Sequence, residues 1–183
     1  MSKIGRKLID INGVAVEIKG HNVHYKGTKA SGVYVLPNVL EVQIADNKLA
    51  LIPNKAVAQK LKIRDLNREW GLHRALLANA IGGSKKEFEK LVEITGLGYK
   101  AVLSGNKLVF SLGYSHKIDF ELPKGVAVAI DRTGQKLTVS STDREALGLT
   151  CSKICALRRP EPYKGTGVKL STEHIIRKAS KGK

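Results

Sequence analysis

The first half of this chain returns in the second half. Gly13-Val-Ala-Val-Glu-Ile-Lys-Gly20 and Gly98-Tyr-Lys-Ala-Val-Leu-Ser-Gly105 each frame an alternating run between two glycines. At a constant offset of 86, Gly27 answers to Gly113 and Leu36-Pro37 to Leu122-Pro123. Val42 and Ile44 answer in the same way to Val128 and Ile130. Leu49 then answers to Leu137, and Gly71-Leu72 to Gly148-Leu149. The last offset is shorter because the first copy carries extra residues between Ile52 and Gly71. Ordered matches of this kind mark a tandem duplication, so the 183 residues divide into two small domains of one architecture. The expected bounds are 1–82 for the first repeat and 83–173 for the second, with a tail from 174 to 183.

Each copy reads as short strands followed by a helix. In the first, Val14–Ile18, Asn22–Lys26, Gly32–Leu36, Leu40–Ile44 and Lys48–Ile52 alternate or are β-rich. Turn residues Gly20, Gly27, Pro37 and Asp46-Asn47 separate them. A helix is predicted from Lys55 to Ile81, with Leu72, Leu76, Leu77, Ala80 and Ile81 as its apolar stripe and a fresh start possible at Gly71. In the second copy, strands are predicted at Lys90–Thr95, Tyr99–Ser104, Lys107–Leu112, Lys117–Leu122, Val126–Ile130 and Lys136–Ser140. Thr142-Asp-Arg-Glu145 fits a capping box, opening a helix with Leu147, Cys151, Ile154 and Cys155 on one face. Gly82-Gly83 reads as the hinge between copies, and Ser84-Lys-Lys-Glu87 as a brief helical turn opening the second. Strand clusters ending in a helix give an α+β class, in which each domain is a mainly antiparallel sheet packed against one helix.

Charge supplies the first functional statement. Thirty-two Lys and Arg face sixteen Asp and Glu, a formal net charge of +16. Such a surplus repels itself in the compact state and seeks a polyanion. Solubility alone would be served better by acidic residues. A membrane partner is disfavoured, because no run approaches the roughly 20 apolar residues a span requires. The opening Met-Ser-Lys-Ile-Gly-Arg-Lys has no apolar segment after its charges, so no secretory signal is expected. Cys151 and Cys155 lie one helical turn apart and lack the further ligands of a zinc site, so they read as core residues of a reduced, cytoplasmic protein.

The charge concentrates after Leu157. Residues 153–183 hold nine Lys or Arg and two Glu. Arg158-Arg-Pro-Glu-Pro-Tyr-Lys-Gly-Thr-Gly-Val-Lys169 cannot be a helix, because its prolines fix extended backbone. It reads as a stiff, basic, extended arm spanning 158–173, with Arg158 and Arg159 suited to grip phosphate oxygens. Tyr163 can stack on a base or pack locally. Gly165 and Gly167 let the backbone approach another surface closely. Lys164, Lys169, Arg177 and Lys178 add cations, the last two in a tail that would order only against a polyanion. A second basic cluster, Lys55, Lys60, Lys62, Arg64, Arg68 and Arg74, reads by default as the solvated face of the first helix. Lys3, Arg6 and Lys7 form a weaker third.

Arg159-Pro-Glu-Pro-Tyr-Lys-Gly165, followed by Gly167, closely resembles the signature of the bacterial-type large-subunit ribosomal protein L six family. Gly96-Leu-Gly-Tyr99, Ser111-Leu-Gly-Tyr-Ser-His116 and Arg74-Ala-Leu-Leu77 extend the likeness to nearly the whole chain. The resemblance implies a structural protein that binds large-subunit (23S) ribosomal RNA near the stalk base and the translation-factor site, beside other ribosomal proteins. It places the principal RNA contacts on the second domain and arm, here Arg158, Arg159, Tyr163, Lys164 and Lys169, with Arg177 and Lys178 in the tail. Thr166 stands where such proteins commonly have Lys, and the segment from Asn54 to Trp70 is longer and more basic than usual.

An enzyme is disfavoured. Gly165-Thr-Gly167 and Gly96-Leu-Gly98 lack the strand–glycine–helix frame of a phosphate loop. His21, His24, His73, His116 and His174 show no nucleophile or metal spacing. No cofactor, metal or small-molecule substrate is therefore expected. An RNA-binding regulator acting outside the ribosome would use the same charge and arm, and only the family likeness separates the two readings.

Overall fold

The computed structural model describes residues 2–45, 47–54 and 62–179. The chain splits into two compact units, Met1–Glu87 and Phe88–Lys183. In the first, β1 (Ile9–Asp10) precedes the meander β2 (Ala15–Lys19), β3 (Asn22–Lys26) and β4 (Ser31–Val35). Then come β5 (Leu40–Ala45), β6 (Lys48–Pro53) and α1 (Ile63–Lys85). The second unit runs β7 (Phe88–Thr95), β8 (Lys100–Ser104), β9 (Lys107–Ser111), β10 (Ile118–Glu121), β11 (Val126–Ile130) and β12 (Lys136–Ser141). It closes with α2 (Arg144–Leu157) and β13 (Gly167–Leu170). The class is α+β, as the pattern of strand runs ending in a helix requires.

Each unit holds two small antiparallel sheets where one was expected. The first has β1-β6-β5 and β2-β3-β4; the second has β11-β12-β7-β13 and β8-β9-β10. The duplication is visible in the register. Ile9 pairs with Leu49 across β1 and β6, as Val92 pairs with Leu137 across β7 and β12. The matched glycines Gly20 and Gly105 both have φ +61 and open two-residue hairpin loops, Lys19↔Asn22 and Ser104↔Lys107. A left-handed first loop residue suits the right-handed twist of the flanking strands, and glycine adopts it without steric cost. Only β13 has no counterpart among the described strands of the first unit.

Two separate cores form. Val23, Leu40, Leu49, Leu51, Trp70, Leu77 and Ile81 belong to the first. Leu108, Phe110, Leu137, Val139, Leu147, Cys151, Ile154 and Val168 belong to the second. The helices occupy equivalent places: Trp70 and Leu77 are buried in α1 as Leu147 and Ile154 are in α2. The indole of Trp70 donates to the Leu51 carbonyl at 2.8 Å, so its polar edge is satisfied inside the core. Both cysteines are free thiols, and burial pushes them up, Cys155 to about 11.

Five local expectations are corrected. The predicted stripe of α1 is right in part: Leu77 and Ile81 face inward, joined by Trp70, while Leu72 is 49% and Leu76 40% exposed. Leucine spacing alone could not choose between adjacent stripes, and the indole decided it. The helix is continuous through Gly71 and also through Gly82-Gly83, which is therefore no hinge. Its end is held from the β3–β4 turn. The Lys29 amide donates to the Ser84 carbonyl at 2.9 Å, and the Thr28 hydroxyl to the Lys85 carbonyl. A Cβ at Gly27 would lie 2.2 Å from the Ser84 carbonyl oxygen, which explains that glycine. Ser84–Glu87 thus ends a helix rather than opening one. Finally, α2 is capped by Asp143, whose carboxylate accepts from the Glu145 amide at 2.9 Å, one residue after the expected Thr142. The predicted helical start at 55–61 lies outside the described residues.

Candidate nucleic-acid interface

The arm begins where α2 ends at Leu157, with Pro160 and Pro162 barring further helix. It does not project as a free extended segment. The Val168 amide donates to the Arg158 carbonyl at 2.9 Å, the Glu161 amide to Thr166, and the Gly165 amide to Glu161 at 2.8 Å. These bonds close residues 158–168 into a compact loop. The far end then becomes β13, pairing Val168 with Ile94 and Lys169 with Glu93 along the open edge of β7. An unpaired sheet edge offers amides and carbonyls that an alternating Gly-Val-Lys-Leu segment can satisfy. Val168 is fully buried, so the arm is part of the second core.

Arg158 anchors the loop. Its guanidinium lies 5.3 Å from the ring centre of Tyr99 and 4.8 Å from that of Tyr114. It also donates to the Leu112 carbonyl at 2.7 Å, while the Tyr114 hydroxyl donates to the Leu157 carbonyl at 3.2 Å. Arg158 is therefore turned toward the protein, holding the root of the arm by cation–π and hydrogen-bond contacts. Lys169 is similarly engaged, with its ammonium 3.4 Å from the Glu93 carboxylate.

The outer residues differ. Arg159, Tyr163, Lys164, Arg177 and Lys178 are all exposed. The tail folds back onto the loop, since the Lys178 amide donates to the Pro162 carbonyl at 3.0 Å. A Cβ at Gly165, where φ is +71, would lie 2.8 Å from the Arg177 guanidinium, so that cation covers the glycine backbone. Gly167 approaches as closely: a Cβ there would meet Pro160 Cα at 2.6 Å. The fold thus brings Arg159, Tyr163, Lys164, Arg177 and Lys178 onto one small loop, with Glu161 as its carboxylate. Beside it, a cleft of about 650 Å³ is lined by Lys90, Cys155, Arg159 and His174.

In the second basic cluster, two arginines are engaged within the chain. Arg68 lies 3.5 Å from both Asp65 and Glu69, and Arg74 donates to the carbonyls of Lys7 and Leu8. Lys55 and Lys60 lie outside the described residues. Sequence reasoning missed Tyr99 and Tyr114 as partners of Arg158. The available signal was the Gly-Tyr pair repeated at Gly98-Tyr99 and Gly113-Tyr114. Among the described residues, no cluster of His, Cys, Asp or Glu could hold a metal ion, and no helix is long and apolar enough to cross a membrane.

Residues 95–170, which include the loop and β13, match the family described as Ribosomal protein L6. Large ribosomal subunit protein uL6 of Methylobacterium sp. (strain 4-46) is 38% identical over 184 residues, covering all of both chains. The uL6 protein of Synechococcus sp. (strain RCC307) is 41% identical over 99% of this chain and 98% of its own. That of Bartonella tribocorum (strain CIP 105476 / IBS 506) is 36% identical, again over the full length of both. Identity of this extent over the full length of both chains is family membership, and the chain belongs to the large ribosomal subunit protein uL6 family.

Proposed function

We propose that this protein is a structural, non-enzymatic component of the cytoplasmic large ribosomal subunit that binds 23S ribosomal RNA near the stalk base and the translation-factor site. The second unit, which begins at Phe88, carries the binding loop, and the tail from 174 contributes Arg177 and Lys178. Neighbouring large-subunit proteins are its other partners. One observation carries the reading: a rigid loop presents Arg159, Lys164, Arg177 and Lys178 around Tyr163, all exposed, on a chain of net charge +16. Folded RNA offers phosphates to such cations and unpaired bases to an exposed ring. Because the loop is held at its root, little conformational entropy is lost on binding. Arg158, Gly165, Gly167 and Lys169 contribute by fixing the loop.

Deleting the arm is the wrong test, since loss of β13 would strip Val168 from the core. Substitution to alanine at Arg159, Lys164 and Arg177 leaves β13 intact. Each phosphate contact removed should flatten the log–log salt dependence of binding to large-subunit RNA by about 0.7 to 0.9. Hydroxyl-radical footprinting of the same complex should show protection at the stalk base. An unchanged slope, or protection confined elsewhere, overturns the proposal.

A further inference from the structure

The loop between β9 and β10 presents two aromatic rings, Tyr114 at the root of the arm and His116 beyond it. Tyr114 and His116 are stacked, with ring centres 6.2 Å apart and planes inclined by 25°. Tyr114 is 46% exposed, and Ser115, His116 and Lys117 around it are exposed as well. Tyr114 is nevertheless fixed from below. The Tyr114 hydroxyl is bonded to the Leu157 carbonyl, the Arg158 guanidinium lies 4.8 Å from its ring centre, and Gly113, at φ +75, lies against the Tyr99 ring. Three anchors hold a planar surface in water when burying it would be the more stable choice.

We propose that Tyr114 and His116 form a platform on which one unpaired RNA base stacks, a second contact beside the arm. This rests on the RNA-binding reading above and adds a site to it. A base is the occupant that the surroundings favour. The segment Ser111–Lys117 carries no carboxylate, Lys117 stands at its end for a phosphate, and the net charge of +16 selects a polyanion. An aromatic pair with one anchored ring stacks any base through its π-face without hydrogen-bond readout. Arg158 couples the two contacts, since the side chain that roots the arm also borders Tyr114.

The test is binding of the full-length protein to large-subunit ribosomal RNA over a salt series at pH 8, where a histidine side chain is ordinarily neutral. His116→Ala should weaken binding by about fivefold or more at every salt concentration, with an unchanged salt slope, because stacking releases no counterions. His116→Phe should restore the affinity, since it restores a ring. Equal affinity of the alanine variant, a loss accompanied by a flatter slope, or failure of phenylalanine to restore binding each overturns the platform. In those cases a parent protein that still binds through Arg159, Lys164 and Arg177 leaves the broader function standing. A parent that binds no large-subunit RNA overturns both.

Discussion

Arg158 illustrates how much one side chain's surroundings alter its meaning. In the sequence it stands beside Arg159 as a second phosphate ligand. In the structure it lies against Tyr99 and Tyr114, bonded to Leu112, and of the two only Arg159 is exposed. Arg158→Ala should therefore lower the stability of the second unit by about 1–3 kcal/mol, because it removes a charge-assisted bond and leaves the Leu112 carbonyl without that donor. Chemical denaturation followed by tyrosine fluorescence measures this. A stability equal to the parent's would show that the contact is incidental. Nothing in a linear string distinguishes adjacent arginines in this way. The two tyrosines that take one of them come from loops far away in sequence.

At the scale of elements, the informative case is α1. Two candidate stripes share Leu77 and Ile81, and they differ in whether Trp70 or the pair Leu72 and Leu76 completes them. The packed face holds Trp70, which fills the first core and bonds to Leu51. Leu77→Ala should cost about 2–5 kcal/mol, the range for truncating a buried leucine. Leu72→Ala should change stability by no more than about 0.5 kcal/mol, as surface substitutions do. Urea titration of both variants separates the two stripes, and the reverse order would restore the predicted one. The ends of the helices were harder still to read. The end of α1 at Lys85 is set by the turn containing Gly27, Thr28 and Lys29, a contact between residues more than fifty positions apart. Strand positions, by contrast, came within a residue or two almost everywhere, because period-two alternation is a local property.

For the whole molecule, the duplication predicts two independent cores, and the structure contains two. The single tryptophan, Trp70, lies in the first. Ile154→Ala should therefore destabilise the second unit by about 2–5 kcal/mol while leaving the urea midpoint of the Trp70 fluorescence transition in place. A matching shift of that midpoint would mean that the units unfold together. The α+β class, the repeat, most strands and the cationic end of the chain were determined by the sequence itself, because each follows from periodicity, turn residues or summed charge. The tertiary structure alone decided which arginine is spent on the fold, which stripe of α1 is buried, and that the arm closes on the edge of β7. Those outcomes depend on contacts between distant segments, where packing of particular rings and the pairing of backbone amides prevail over local preference.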